Sequence, residues 1–178
     1  MNVAEFTKQL KKRGVGPGAA WRKADLHIHL PGSSDYEYRG HDASTMLGKA
    51  ITDEDLAFAV ILKHESFPTR DELAALGRLC PRTKLIPGVE INVIVDALFK
   101  KIGKDYFFHC VVAVDPDQGG EFEYVLRKAQ EQFSYRNGPY PAGFTSSIVD
   151  VGHFFRENGA LFIPAHLHQS RTPDTSRT

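Results

Sequence analysis

The chain has 178 residues, 42% hydrophobic and 25% charged, proportions that suit one domain with a buried core and argue against a fibrous repeat or a wholly disordered chain. Its 22 Lys and Arg balance 22 Asp and Glu, so no net field draws the molecule toward nucleic acid or anionic lipid, and any polyanion contact must be local. Two cysteines, Cys80 and Cys110, lie far apart in no C-x-x-C spacing, which supports neither a disulfide framework nor a thiolate zinc site and fits a reducing cytoplasm.

Residues 1–20 read as a short amphipathic helix, with Val3, Phe6 and Leu10 set among charges and a stop at Gly14, followed by a linker. This segment lacks the continuous apolar run of a signal peptide or membrane span, so no membrane partner is expected. Lys8, Lys11, Lys12, Arg13, Arg22 and Lys23 make the densest basic stretch and read as a solvated face. Apolar and polar residues alternate from Ala24 to Leu30 as in a half-buried strand ended by Pro31-Gly32.

A polar loop runs through Arg39-Gly40, and Asp42 or Ser44 caps a helix over Met46, Leu47 and Ala50. The continuous apolar run Leu56 to Leu62 predicts a strand covered on both faces, delivering Lys63-His64 at its end. Thr69 and Glu72 form a capping box for a helix through Leu73, Leu76 and Leu79 that closes near Pro81. One or two strands follow in Leu85-Ile86 and Val89 to Val95. Lys100 to Lys104 then reads as the turn between Ile91–Phe99 and the strand Tyr106 to Val114, an antiparallel excursion in a pattern that is otherwise β then α.

Phe122, Val125, Leu126, Ala129 and Phe133 repeat at helical spacing, as do Ile148, Val151, Phe154 and Phe155 before the Gly159 stop, and both stripes read as core packing. The last strand, Ala160 to Ala165, leads into His166-Leu167-His168, and 169–178 is a polar tail. The expected domain therefore spans 21–168.

Ionisable residues recur at or just beyond predicted strand C-termini: His27 and His29, His64, Glu90 after Pro87-Gly88, His109 and His166. In α/β barrels that end of the strands carries the site. His27 and His29, two apart on a strand, point the same way and can converge on one metal ion, although an isolated His-x-His is also what a half-buried strand with a polar face carries. Burying several imidazoles and a carboxylate beside apolar runs costs a few kcal/mol per unpartnered group, about what metal coordination removes by making each one a ligand. Imidazole and carboxylate donors without thiolate admit Zn, Mn or Fe.

These motifs resemble the PHP (polymerase and histidinol phosphatase) family. Asp25-Leu26-His27-Ile28-His29 is similar to its first motif, and Asp35 stands where the family places a further ligand. Phe58 to His64 resembles its second strand, Pro87-Gly88-Val89-Glu90-Ile91 its glutamate motif, Phe108-His109-Cys110-Val111-Val112 its strand histidine motif, and Pro164-Ala165-His166 its later Ala-His motif. The resemblance runs from Trp21 to about His168. It implies an incomplete, distorted (β/α)7-type barrel with a mostly parallel sheet, and up to three divalent ions. It further implies His27, His29 and Glu90 around one ion, Glu90 bridging to a second held by His109 and His166, and Asp35 with His64 toward a third.

The activity implied is a cytoplasmic metal-dependent phosphoesterase acting on a phosphomonoester, a phosphodiester or nucleic acid, with His27, His29 and Glu90 as its catalytic ligands. Trp21-Arg22-Lys23 and Pro31 to Tyr36 further resemble PHP modules at the N-terminus of large P-loop ATPases. No G-x-x-x-x-G-K-[ST] occurs here, so such an ATPase region would lie outside this chain.

The sequence departs from the family at two places. Lys63 replaces the acidic residue before the second-strand histidine, which predicts weaker metal binding through like charge. The family's late Asp-x-His is absent, which predicts a truncated domain with an exposed apolar edge or face beyond Ala160–Ala165. The alternative reading is a catalytically impaired PHP-like module with a structural, interaction or regulatory role. His168 is a candidate proton donor or a loop histidine. His41 and His153 read as surface residues, Arg39 and Arg171 as phosphate clamps or ordinary surface arginines, and Tyr36 and Tyr38 as base-stacking or loop-packing residues.

Overall fold

The structure is a computed structural model that describes residues 22–33, 36, 38, 40–94, 106–118, 122–137 and 142–169. The expected N-terminal helix, the 100–104 turn, Asp35, Arg39, Arg171 and 170–178 lie outside them. The described strands are β1 (Ala24–His29), β2 (Phe58–His64), β3 (Lys84–Ile94), β4 (Tyr106–Ala113), β5 (Tyr135–Arg136), β6 (Gly143–Phe144) and β7 (Leu161–Gln169). The helices are α1 (Ala43–Asp53), α2 (Arg70–Leu79), α3 (Phe122–Gln132) and α4 (Ile148–Glu157). Among the described residues no helix is long and apolar enough to cross a membrane.

The fold is α/β with a mixed sheet in the order β1-β2-β3-β4-β7. β1, β2 and β3 run parallel, whereas β4 returns antiparallel to β3 and β7 antiparallel to β4. The short β5–β6 hairpin, which the sequence did not announce, attaches by pairing Phe144 with Val93 of β3.

All four helices cover one face of the sheet. Ile51 of α1 and Leu76 of α2 pack with Ile28, Ala59 and Ile61 of β1 and β2. Leu126 of α3 and Val151, Phe154 and Phe155 of α4 pack with Val89, Ile91, Cys110 and Val112 of β3 and β4. The capping box starts α2 as its residues dictate: Thr69 Oγ1 accepts from the Glu72 N–H at 3.2 Å and Glu72 Oε2 from the Thr69 N–H at 2.7 Å. At α1, Asp42 occupies the cap position without capping. Its Oδ1 accepts instead from the Tyr38 hydroxyl at 2.7 Å, so this loop tyrosine is held on the helix start.

The other face carries Val60 and Leu62 of β2 with Val111 and Ala113 of β4, flanked by Ile86 and Ile163. Period-2 alternation sets the charged side chains on this face too, because β2 and β3 pair Leu62 with Gly88 and His64 with Glu90. Gly88 sits where an added Cβ would lie 2.6 Å from Leu62 and 2.7 Å from Val60, so these two side chains close over the strand just below Glu90. At the far end of the same face, Leu26, Phe58, Val60, Ile86 and Leu161 line an apolar cavity of about 540 Å³. Leu161 is 52% exposed there, on the last strand of the described path.

Candidate metal centre

Glu90 lies inside β3, short of its end and not at a strand C-terminus as expected, whereas the histidines around it are delivered by strand ends or bulges. β1 breaks register with β2 between Asp25 and Ile28, where Asp25 Oδ1 takes up the His27 backbone N–H at 2.9 Å. β4 and β7 break register between His109 and Cys110: His109 pairs with His166 but Cys110 with Pro164, leaving Ala165 as the extra residue before His166. Bulges re-aim a side chain, and both here sit directly beside a histidine. β2 ends at His64 because Glu65 turns into the left-handed region at φ 59°, donating its N–H to the Glu90 carbonyl at 3.1 Å.

The sheet is curved enough that its two end strands meet across this face. His27 on β1 and His166 on β7 stack with ring centroids 5.9 Å apart, although three strands separate them in the hydrogen-bonded order. The rings continue around: His27 to His29 at 5.0 Å, His29 to His64 at 4.7 Å, His64 to His109 at 6.2 Å and His109 to His166 at 4.7 Å.

Glu90 stands in the middle of these five imidazoles, 2% exposed. Its Oε2 lies 2.9 Å from His29 Nε2, 3.4 Å from His27 Nε2 and 3.6 Å from His64 Nδ1. Its Oε1 is in close contact with His109 Nδ1. The structure thus brings together six of the seven sequence-derived ligands, and the seventh, Asp35, lies outside the described residues.

Comparison with protein-family models and with curated proteins finds no match. The chemistry of the cluster is therefore that of its own atoms. Burial pushes the Glu90 carboxyl up, but the contacts from His109, His27 and His29 outweigh it and hold the group well below the usual carboxylate range. Those nitrogens are close yet misaligned, since neither buried oxygen has a well-directed hydrogen-bond donor. Close but undirected nitrogens around an ionised carboxylate are what a ligand set looks like without its cation.

The spacing fits a small divalent ion. His27 Nε2, His29 Nε2 and Glu90 Oε2 form a triangle with edges of 3.1, 3.4 and 2.9 Å. Metal–donor bonds of about 2.0–2.1 Å in a tetrahedron separate the donors by roughly 3.3 Å. Glu90, His109 and His166 form a second group whose ligand atoms lie within 4.8 Å of one another, so one carboxylate serves both. Cys110 stands apart from the cluster, packed with Val89, Ile91 and Val112 in the helix-covered core, where burial, with the Glu90 charge, pushes its thiol up to about 12.

Three further expectations need correction. His109 is not at a strand C-terminus. It lies in the first half of β4, and reaches the same end of the sheet because β4 runs antiparallel. His166 is within β7, which continues to Gln169 and does not stop at Ala165. Lys63 does not face the cluster with its charge unmatched, for its Nζ donates to both oxygens of Glu72 at 3.2 and 3.4 Å.

His41 and His153 are exposed and outside the cluster, Tyr36 donates to the Ala43 carbonyl at 3.4 Å, and the backbone of His168 pairs with Phe107. The sequence reading missed Asn92, buried two residues beyond Glu90, whose Nδ2 donates to the Ala142 carbonyl at 2.8 Å and ties β3 to the segment leading into β6. Its signal was the same alternation that flagged Glu90.

A pH prediction follows from Glu90. Its folded-state pKa is depressed below the ordinary value near 4.3, so the stability it contributes is fully present above that value and is lost as pH falls toward the folded one. Metal-free protein should therefore lose stability more steeply below about pH 4.5 than Glu90→Gln, measured by urea unfolding at successive pH values. Parallel curves for the two proteins would contradict the assignment.

Proposed function

We propose that this chain carries a polynuclear metal centre of the PHP type and hydrolyses phosphate esters. The observation that supports it most is the posture of Glu90, one buried carboxylate with His27, His29 and His64 on one oxygen and His109 on the other. The order of the Asp25–His29, Phe58–His64, Pro87–Ile91, Phe108–Val112 and Pro164–His166 motifs supports the phosphate-ester class. Divalent ions held by these residues would supply Lewis acidity toward a phosphoryl oxygen and lower the pKa of a nearby water to near neutrality.

The chain's own groups have separable tasks. His27 and His29 with Glu90 would hold one ion and Glu90 with His109 and His166 a second, and the family resemblance would assign His64 and Asp35 to a third. Glu90 stays ionised across the physiological range because its surroundings hold its pKa down, so protons do not compete with the ions for it. Phe107 stacks on His109 with centroids 5.2 Å apart and keeps that side dry, whereas exposed His166 leaves the opposite side open to substrate.

The test is hydrolysis of p-nitrophenyl phosphate, bis-p-nitrophenyl phosphate and single-stranded DNA with added Mn or Zn. At least one should turn over, His27→Ala should abolish that turnover, and His153→Ala, altering an exposed residue of α4, should leave it unchanged. A protein that binds metal yet hydrolyses none of the three would overturn the hydrolase reading in favour of a metal-binding scaffold.

A further inference from the structure

We infer that Ser33 is a positioning residue of the centre, fixing through a Pro-Gly turn which nitrogen of His29 faces the ions. The inference rests on the metal-centre reading above and assigns a task to a residue outside its ligand set. His29 has two ring nitrogens committed in opposite directions. Nε2 faces His27 Nε2 at 3.1 Å and Glu90 Oε2 at 2.9 Å, while Nδ1 lies 3.2 Å from Ser33 Oγ.

The backbone delivers that hydroxyl. Leu30, following β1, donates its N–H to the Leu62 carbonyl at 3.0 Å, which anchors the chain to β2. The next three residues then fold back, and the Ser33 N–H returns to the Leu30 carbonyl at 3.1 Å. Proline at the second position and Gly32 at φ 96° at the third are what a type II turn requires. The constraint at Gly32 is conformational only, because an added Cβ would meet nothing within 4 Å. The Ser33 carbonyl is held in turn by the Tyr36 N–H at 3.1 Å, so both sides of the serine are tied.

A ligating imidazole binds through one nitrogen and carries its proton on the other, and the partner of that proton sets the ring's orientation. Here the His29 Nδ1–H donates to Ser33 Oγ, leaving the Nε2 lone pair aimed into the cluster. The ring is also stacked on His64 at 4.7 Å, which limits tilt but leaves the choice of nitrogen open. Ser33 makes that choice. The same turn lines a cleft of about 350 Å³ with Lys63, His64 and Glu72, so water can replace a lost hydroxyl without collapse of the turn.

The experiment is a zinc titration against a chromophoric chelator on wild type, Ser33→Ala, Ser33→Thr and Gly32→Ala, with the imidazole N–H region of the proton NMR spectrum recorded on each zinc-loaded protein. Ser33→Ala should weaken the tighter zinc site about 10-fold or more, in the range for loss of an outer hydrogen-bond partner, and lose the His29 Nδ1–H resonance to exchange with water. Ser33→Thr, which keeps the hydroxyl, should restore both. Gly32→Ala, which keeps Ser33 but strains the turn, should weaken zinc in the same direction. If Ser33→Ala binds zinc as wild type does and keeps the resonance, the positioning role falls while the metal centre stands. If wild type binds no zinc, both fall.

Discussion

Glu90→Gln is expected to reduce metal-dependent turnover by more than about 100-fold, beyond the loss seen when only an outer partner of a ligand is removed. The amide keeps the volume but replaces an anionic oxygen with an N–H₂ group that cannot ligate. Both groups that share this carboxylate, His27 with His29 and His109 with His166, lose their common member in one step. The imidazoles remain as donors, but they carry no negative charge to offset that of the cations. Steady-state hydrolysis at several metal concentrations checks this, and recovery at high metal would show that Glu90 is replaceable.

The second large effect concerns stability. Phe155 of α4 is fully buried and lies 5.6 Å from Phe154, 6.3 Å from Phe144 and 6.0 Å from Phe162, centroid to centroid. This aromatic group joins α4, the β5–β6 hairpin and β7. Phe155→Ala should cost about 3–5 kcal/mol through lost burial and a cavity that such neighbours cannot close. The expected fall in melting temperature is on the order of 10 °C. Because α4 supports β7, and β7 carries His166, the substitution should also weaken metal binding at temperatures well below the melting point. A loss under about 1 kcal/mol would mean that the group repacks.

Much of the frame was legible because local rules and tertiary demands agree there. The Thr69–Glu72 box starts α2, the unbroken apolar run ends as a strand with Ala59, Val60, Ile61 and Leu62 fully buried, and the phenylalanine stripe of α4 faces the sheet. Pro87-Gly88 was harder, since the pair reads as an interruption. β3 runs straight through it, because parallel pairing to β2 continues from Phe58–Lys84 to His64–Glu90 and the missing Cβ of Gly88 makes room for Leu62 and Val60.

The residues that converge were visible as a set, but how they converge was not. Two bulges re-aim His27 and His166, and only pairing registers reveal a bulge, although Asp25 and Pro164 each remove or occupy a backbone group next to one. The antiparallel return of β4 puts His109 at the right end for a reason opposite to the one its position suggested. The two-residue strands β5 and β6 have no periodicity to detect. Lys63 shows the limit of reading charge from sequence: its neighbour in space is Glu72, already committed to the helix cap, and not the histidine beside it in the chain.

The central claim is that Glu90 joins two cation sites, and metal content tests it most directly. Protein purified without chelator, then dialysed against dilute Zn or Mn, should carry at least two ions per chain by elemental analysis, with Glu90→Gln losing both and His166→Ala losing one. Less than one ion per chain in the wild-type protein, or a content that Glu90→Gln leaves unchanged, would contradict it.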